Sequence, residues 1–189
     1  MQRTSNTRVK SSQRTPLCGQ GPGSQNSGDA RGAYPPIAQT NMKHTVLFLD
    51  IDGPLHPAGA CGPMPDGTVF GEDLFRWVGP LLGLLEELPH VNVVLHSSWR
   101  YAYGGDLRRL LEDLPPALAS RVVGVTPLKV QGRQESIEAY VRRHQVEHFA
   151  AVDDAGHHFA DNLPWLVLCG SDGLSSPETV DALRARLQA

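Results

Sequence analysis

The chain has 189 residues, with 17 Lys and Arg against 20 Asp and Glu and a formal net charge of −3. That length suits one domain with a sizeable core rather than two, and the charge gives no general reason to expect a nucleic-acid binder. Cys18, Cys61 and Cys169 are scattered and lack CxxC spacing, which argues against a disulfide framework or a structural zinc site and fits a reducing cytosol. The apolar stretches are only strand-sized, so neither a membrane span nor a signal-peptide core is expected, and the protein reads as soluble and cytoplasmic.

Residues 1–43 are rich in Ser, Gln, Asn, Gly, Thr and Pro without apolar periodicity, the composition of a disordered segment. Their basic residues, Arg3, Arg8, Lys10, Arg14, Arg31 and Lys43, face a single acid, Asp29. Such an excess suits a nucleic-acid-binding tail or a transit peptide, but a solvated tail is the plainer reading. Met42, just before the first strand, is a candidate translation start.

From residue 44 onward the pattern is regular. Short apolar stretches, "TVLFLD", "VNVVLHS", "RVVGV", "HFAAVDD" and "WLVLC", alternate with amphipathic ones, "GPLLGLLEEL", "DLRRLLEDL", "RQESIEAYVRRH" and "SPETVDALRARLQ". Strands apolar on both faces between amphipathic helices predict an α/β domain over 44–189, a Rossmann-like, doubly wound parallel sheet. Between the first strand and the first helix, "HPAGACGPMPDGTVFGE" carries the hairpin-type turn Asp66-Gly67, which predicts a small β flap. Segments 53–73 and 98–132 are too short, or too committed to the basic fold, for a large cap domain.

In an open parallel sheet ligands gather at the carboxyl ends of the strands. Three of the predicted strands end in reactive polar residues: the first in Asp50 and Asp52, the second in Ser97 and Ser98, a later one in Asp153 and Asp154. A sharp turn at Gly53 would keep both members of the first pair at the rim. Four carboxylates on one rim repel one another unless a cation sits among them, and hard all-oxygen coordination suggests Mg²⁺.

"LFLDIDGPL", "VVLHSSWR" and "AAVDDA" together resemble, in order and spacing, motifs I, II and IV of the haloacid dehalogenase-like (HAD) hydrolase superfamily. The resemblance extends over residues 45–189 and is nearest to small capless domains associated with nucleic-acid repair phosphatases. It implies that Asp50 is a nucleophile forming an aspartyl-phosphate. Asp52 would be the general acid and base, with its backbone carbonyl reaching the metal. Asp153 and Asp154 would complete the Mg²⁺ site together with Asp50 and Asp52, and Ser97, with Ser98 beside it, would bind the phosphate.

The same resemblance asks for a motif III cation. Arg133, opening the "RQESI" helix, is favoured over Lys129, one loop earlier, because a guanidinium bridges a carboxylate and a phosphate at once; Lys129 stays among the substrate-binding candidates. Arg100 is a candidate for a second phosphate or a nucleic-acid backbone, with a surface ion pair as its alternative. Trp99 is assigned to core packing and His157-His158 to a helix surface, since no third histidine has ligand spacing. His56 and His96 flank the site as partners for backbone groups.

These readings make the chain an Mg²⁺-dependent phosphomonoesterase, with a phosphorylated nucleic-acid end as first-choice substrate and a phosphoprotein or small metabolite as second. A phosphotransferase and a non-catalytic phosphate-binding module on the same fold are the rivals. No membrane partner is expected, and the oligomeric state is not legible.

Overall fold

Period-2 alternation of apolar side chains places each strand between two apolar layers. In the computed structural model, which describes residues 45–59, 62–63, 69–71 and 73–189, β1 (Thr45–Leu49) is buried throughout. Leu47 and Leu49 face one layer, while Val46 and Phe48 face the other. β4 (Val91–Leu95), β5 (Val122–Val125), β6 (His148–Asp153) and β7 (Leu166–Leu168) complete a five-stranded sheet in the order β5-β4-β1-β6-β7. All its pairings are parallel. Among the described residues, β2 (Gly62–Pro63) and β3 (Val69–Phe70) form a two-stranded antiparallel pair between β1 and the first helix. The expected flap is therefore present, although its Asp66-Gly67 turn falls outside the described residues, as does the 1–43 tail.

One face of the sheet is covered by α1 (Val78–Glu87) and α6 (Pro177–Gln188), through Leu81, Leu84 and Leu85 of the first and Val180, Leu183 and Leu187 of the second. The other face is covered by α5 (Arg133–His144), where Ile137 and Tyr140 meet Phe48 and Val94. Phe48 makes edge-on contacts with Tyr140 and Phe149 at centroid distances of 5.5 and 5.7 Å, a geometry that adds to simple area burial. Burial on both faces explains why these strands read as continuous apolar runs. Short helices α2 (Trp99–Ala102), α3 (Leu107–Glu112) and α4 (Pro116–Ala119) link β4 to β5 and form no cap domain.

Capping chemistry fixes the helix ends. Ser176 accepts a hydrogen bond from Thr179 N–H with Pro177 in the first turn of α6, the arrangement expected where the first N–H groups lack helical partners. At the far end of α1 the Arg121 guanidinium donates to the carbonyls of Leu85, Leu88, Pro89 and Val91. The carbonyls of Leu85 and Leu88, in the last turn and at the C-cap of α1, need external donors, and a cation there also suits the helix dipole.

The chain steps outward from β1 through β4 to β5, returns through α5 to β6 on the other side of β1, and continues to β7. The strand order thus reverses beside β1, the topological position at which α/β sheets open a ligand crevice at their carboxyl ends.

Candidate active site

Asp50 is the residue after β1, and its N–H still donates to the Val152 carbonyl at 3.1 Å, extending the ladder by one bond. Its carboxylate therefore projects from the strand end and is fully buried. Oδ1 accepts from Ile51 N–H at 2.8 Å, and Oδ2 accepts from Arg133 Nη1. Asp153, the last residue of β6, is equally buried; its Oδ1 accepts from Ala155 N–H at 2.7 Å, and its Oδ2 accepts from the same Arg133 Nη1. Asp154 completes the group: one carboxylate oxygen from each of Asp50, Asp153 and Asp154 lies within 4.8 Å of the others.

Gly53 makes this convergence possible in two ways. Its φ is +89°, and a Cβ there would sit 2.3 Å from Asp154 Cγ. Only glycine combines the left-handed turn with so close an approach of the motif IV loop.

Burial pushes the Asp50 carboxyl above its ordinary pKa; Asp153 adds to the rise, while His96 and Arg133 oppose it. Asp154 is raised as well, by burial and then by the two neighbouring carboxylates. Burial acts to lower Arg133, but Asp50 and Asp153 outweigh it and hold the guanidinium firmly protonated. Burial drives His96 down, against the Asp50 and Asp153 carboxylates that raise it. One guanidinium thus faces three carboxylates, and a divalent cation would balance the remainder. The hard, all-oxygen donor set fits such an ion.

Arg133 is therefore the cation in contact with the Asp50 and Asp153 carboxylates. Lys129 is exposed and makes no ion pair with a described residue, which decides between the two candidates for the contact with the carboxylates. Ser97 is buried, and its Oγ accepts from Trp99 N–H at 3.3 Å. Ser98 is exposed.

Two expectations need correction. The Asp52 carboxylate does not join the three-carboxylate group, so four acids do not converge on one point of the rim. It turns instead toward Trp99 Nε1 (3.1 and 3.2 Å), His56 Nε2 (3.1 Å) and Ser98 Oγ (3.4 Å). Arg100 is not at the surface: it is 2% exposed, and Nη1 donates to the His96 and Ser97 carbonyls while Nη2 donates to Tyr101 Oη at 3.1 Å. Buried carbonyls require donors, so this guanidinium is committed to holding the loop after β4 and does not reach a second phosphate. Asp50 is covered, whereas the Asp52 side chain is 25% exposed.

Trp99 does pack in the core, at 1% exposure beside Phe75, but its indole N–H on Asp52 went unforeseen. His56 serves a backbone group, its Nδ1 accepting from Phe75 N–H at 3.3 Å, and makes a second bond, to Asp52, that the sequence does not announce. Spacing gave one hint, since His56 lies four residues beyond Asp52 across the turn. His157 and His158 lie exposed on a short 3-10 helix, as expected. Tyr101, beside Ser98 on α2, is 51% exposed with the Arg100 guanidinium carbon 4.5 Å from its ring centroid. Among the described residues no helix is long and apolar enough to cross a membrane.

Residues 46–179 match a family model described as the HAD domain in Swiss Army Knife RNA repair proteins. No curated protein matches the chain. HAD domains typically use a metal ion, and the acidic group at the switch point is where one fits. With the parallel sheet, the acids at the ends of β1 and β6 and a match over most of its length, the chain belongs to the HAD superfamily of hydrolases, in the family of HAD domains of Swiss Army Knife RNA repair proteins.

Proposed function

We propose that the protein is a magnesium-dependent phosphomonoesterase working through an aspartyl-phosphate on Asp50, with phosphorylated nucleic-acid ends as substrates. The observation that carries this reading is the division between two carboxylates only two residues apart. Asp50 lies within the charged group with Arg133 and Asp153, whereas Asp52 is held by His56, Trp99 and Ser98 and stands outside it. Carboxylates in such different surroundings suit different tasks.

In the first step an Asp50 oxygen attacks phosphorus while the bond to the leaving oxygen breaks, and Asp52 gives that oxygen a proton. In the second, water attacks the same phosphorus, Asp52 takes its proton, and the Asp50–phosphorus bond breaks to release inorganic phosphate. Arg133 holds Asp50 in place and offsets negative charge at the phosphoryl group. Ser97 Oγ, whose lone pair already accepts from Trp99 N–H, keeps its hydroxyl proton to donate to a phosphoryl oxygen. Asp50, Asp153 and Asp154 would hold Mg²⁺, which supplies charge neutralisation between nucleophile and phosphate.

The substrate class is supported by the RNA repair proteins named in the family's description and by Tyr101, an exposed ring beside the site. Unpaired bases stack on such rings without sequence preference. The test is phosphate release in Mg²⁺ from 3′- and 5′-phosphorylated oligoribonucleotides, p-nitrophenyl phosphate and glycerol 2-phosphate. Oligonucleotide turnover that disappears in Asp50→Asn, with an unchanged circular dichroism spectrum, is the expected result. No release from any substrate would end the phosphatase reading, and release from the small esters alone would end the nucleic-acid one.

A further inference from the structure

The geometry points to His56 and Trp99 as positioning residues that aim the Asp52 carboxylate at the leaving group. This inference rests on the phosphatase reading above, and it concerns side chains too deeply buried to touch substrate: His56 has no exposed surface and Trp99 is 1% exposed.

The argument begins with proton inventory. Phe75 N–H can only donate, and it points at His56 Nδ1 at 3.3 Å. That nitrogen must therefore carry the lone pair, which places the ring proton of a neutral imidazole on Nε2. Nε2 lies 3.1 Å from Asp52 Oδ1, so the Phe75 backbone dictates that His56 donates to Asp52. The Trp99 indole is a donor in every state, and it sits 3.1 Å from Oδ1 and 3.2 Å from Oδ2. Neither donor can reverse its direction while the Phe75 bond persists. The remaining partner, Ser98 Oγ at 3.4 Å from Oδ2, is a hydroxyl that can donate or accept, and Ser98 is exposed. Oδ1 thus faces two fixed donors, while Oδ2 shares the indole N–H and meets the exposed Ser98 hydroxyl, the one partner free to yield to an arriving leaving oxygen.

The donors are themselves held rigidly. His56, Phe75 and Trp99 form a three-ring cluster with centroid separations of 5.7, 6.1 and 5.6 Å. Gly53 N–H donates to the His56 carbonyl at 2.9 Å, closing the turn that carries both Asp52 and His56. From the flap, Gly62 closes over the pair, since a Cβ on it would lie 3.7 Å from Trp99 Nε1 and 4.0 Å from Asp52 Oδ1. A catalytic carboxylate fixed by locked second partners is positioned before substrate arrives, and misplacement by about 1 Å can lower turnover about 100-fold.

The test separates aiming from folding by varying the need for a proton. An alkoxide leaving group, as in glycerol 2-phosphate, requires the acid, whereas p-nitrophenolate departs with little help. In the full chain with Mg²⁺, Trp99→Phe and His56→Leu are expected to lower kcat on glycerol 2-phosphate roughly 10- to 100-fold. The loss on p-nitrophenyl phosphate should be at least about tenfold smaller, with KM little altered. His56→Gln, which keeps a donor near the Nε2 position, should recover part of the His56→Leu loss. In an Asp52→Asn background Trp99→Phe should add no further loss, because it acts through Asp52.

Equal losses on both substrates, or additive loss in the Asp52→Asn background, would overturn the assignment while leaving the phosphatase reading intact. Wild-type protein that released phosphate from neither these esters nor a phosphorylated oligoribonucleotide would overturn that reading, and the catalytic role of these residues with it. A readout independent of turnover and of variant folding at Trp99 is the indole N–H spectrum of ¹⁵N-labelled protein. Of the three tryptophans, one resonance should move on Asp52→Asn, and no movement would refute the contact.

Discussion

Replacing Gly53 with alanine should damage stability and metal response together, because one Cβ meets two separate obstacles. The first is backbone conformation: φ is +89°, and an L-residue held in the left-handed region costs about 1–2 kcal/mol. The second is steric, since the new Cβ would lie 2.3 Å from Asp154 Cγ and 2.6 Å from both its Cβ and Oδ2. Asp154 must leave its rotamer, which costs about 0.5–1.5 kcal/mol, and the loop carrying it must shift. The combined destabilisation is about 1.5–3.5 kcal/mol, and at roughly 2–4 °C per kcal/mol for a chain of this size Tm should fall by about 3–14 °C. Because the displaced group is a proposed Mg²⁺ ligand, Mg²⁺ affinity read from Tm against concentration should fall about tenfold or more. Adding Asp154→Gly removes the obstructing atoms and should restore part of the lost Tm, a coupling of at least about 1 kcal/mol between the two sites. A Gly53→Ala protein with wild-type melting and Mg²⁺ response, or a double variant whose effects simply add, would refute the reasoning.

Asp154→Asn should raise Tm in EDTA, and the gain should grow as pH rises. The folded pKa of Asp154 lies above its unfolded value, so its stabilising contribution is present below the unfolded pKa and is lost as pH rises through the folded one. Melting from pH 4 to 8 with EDTA or Mg²⁺ checks this, and a variant less stable than wild type in EDTA at neutral pH would contradict it. Tyr101→Ala should lower kcat/KM on a phosphorylated oligoribonucleotide about tenfold more than on p-nitrophenyl phosphate, in line with about 1–3 kcal/mol per stacked base; equal losses would remove Tyr101 from substrate binding. The Cys169 thiol, pushed up to about 12 first by burial and then by Asp154 and Asp153, should resist alkylation at pH 8 until the domain unfolds. Peptide mapping after iodoacetamide reads this directly, and rapid labelling of Cys169 in the native protein would contradict its burial.

Much of the architecture was legible in the amino-acid sequence, because it follows from local periodicity. Short apolar runs such as Thr45–Leu49 and Val91–Leu95 between helical patterns read as strands covered on both faces, and the 3.6-residue pattern of Pro177–Gln188 begins at a serine cap. The turn at Gly53, the acids at the ends of β1 and β6, and the serines after β4 could be placed at one rim because strand ends share an edge in a parallel sheet. Arg133 was preferred for a chemical reason, and its contact with Asp50 and Asp153 agrees with that preference.

The partners of the rim residues belong to the tertiary structure. Arg100 follows the motif II serines and looks like a phosphate contact, yet its guanidinium folds back onto the His96 and Ser97 carbonyls, because a strand end leaves buried acceptors that need a donor. Asp52 looks like Asp50 in the sequence, but Trp99, 47 residues away, and His56 draw its carboxylate out of the charged group. Arg133 meets Asp50 across 83 residues only because α5 docks on the sheet face beneath β1. Side-chain periodicity determines which face of an element is buried; which donor meets which acceptor depends on how elements distant in the chain pack, and hydrogen-bond geometry tolerates errors of only a few tenths of an ångström.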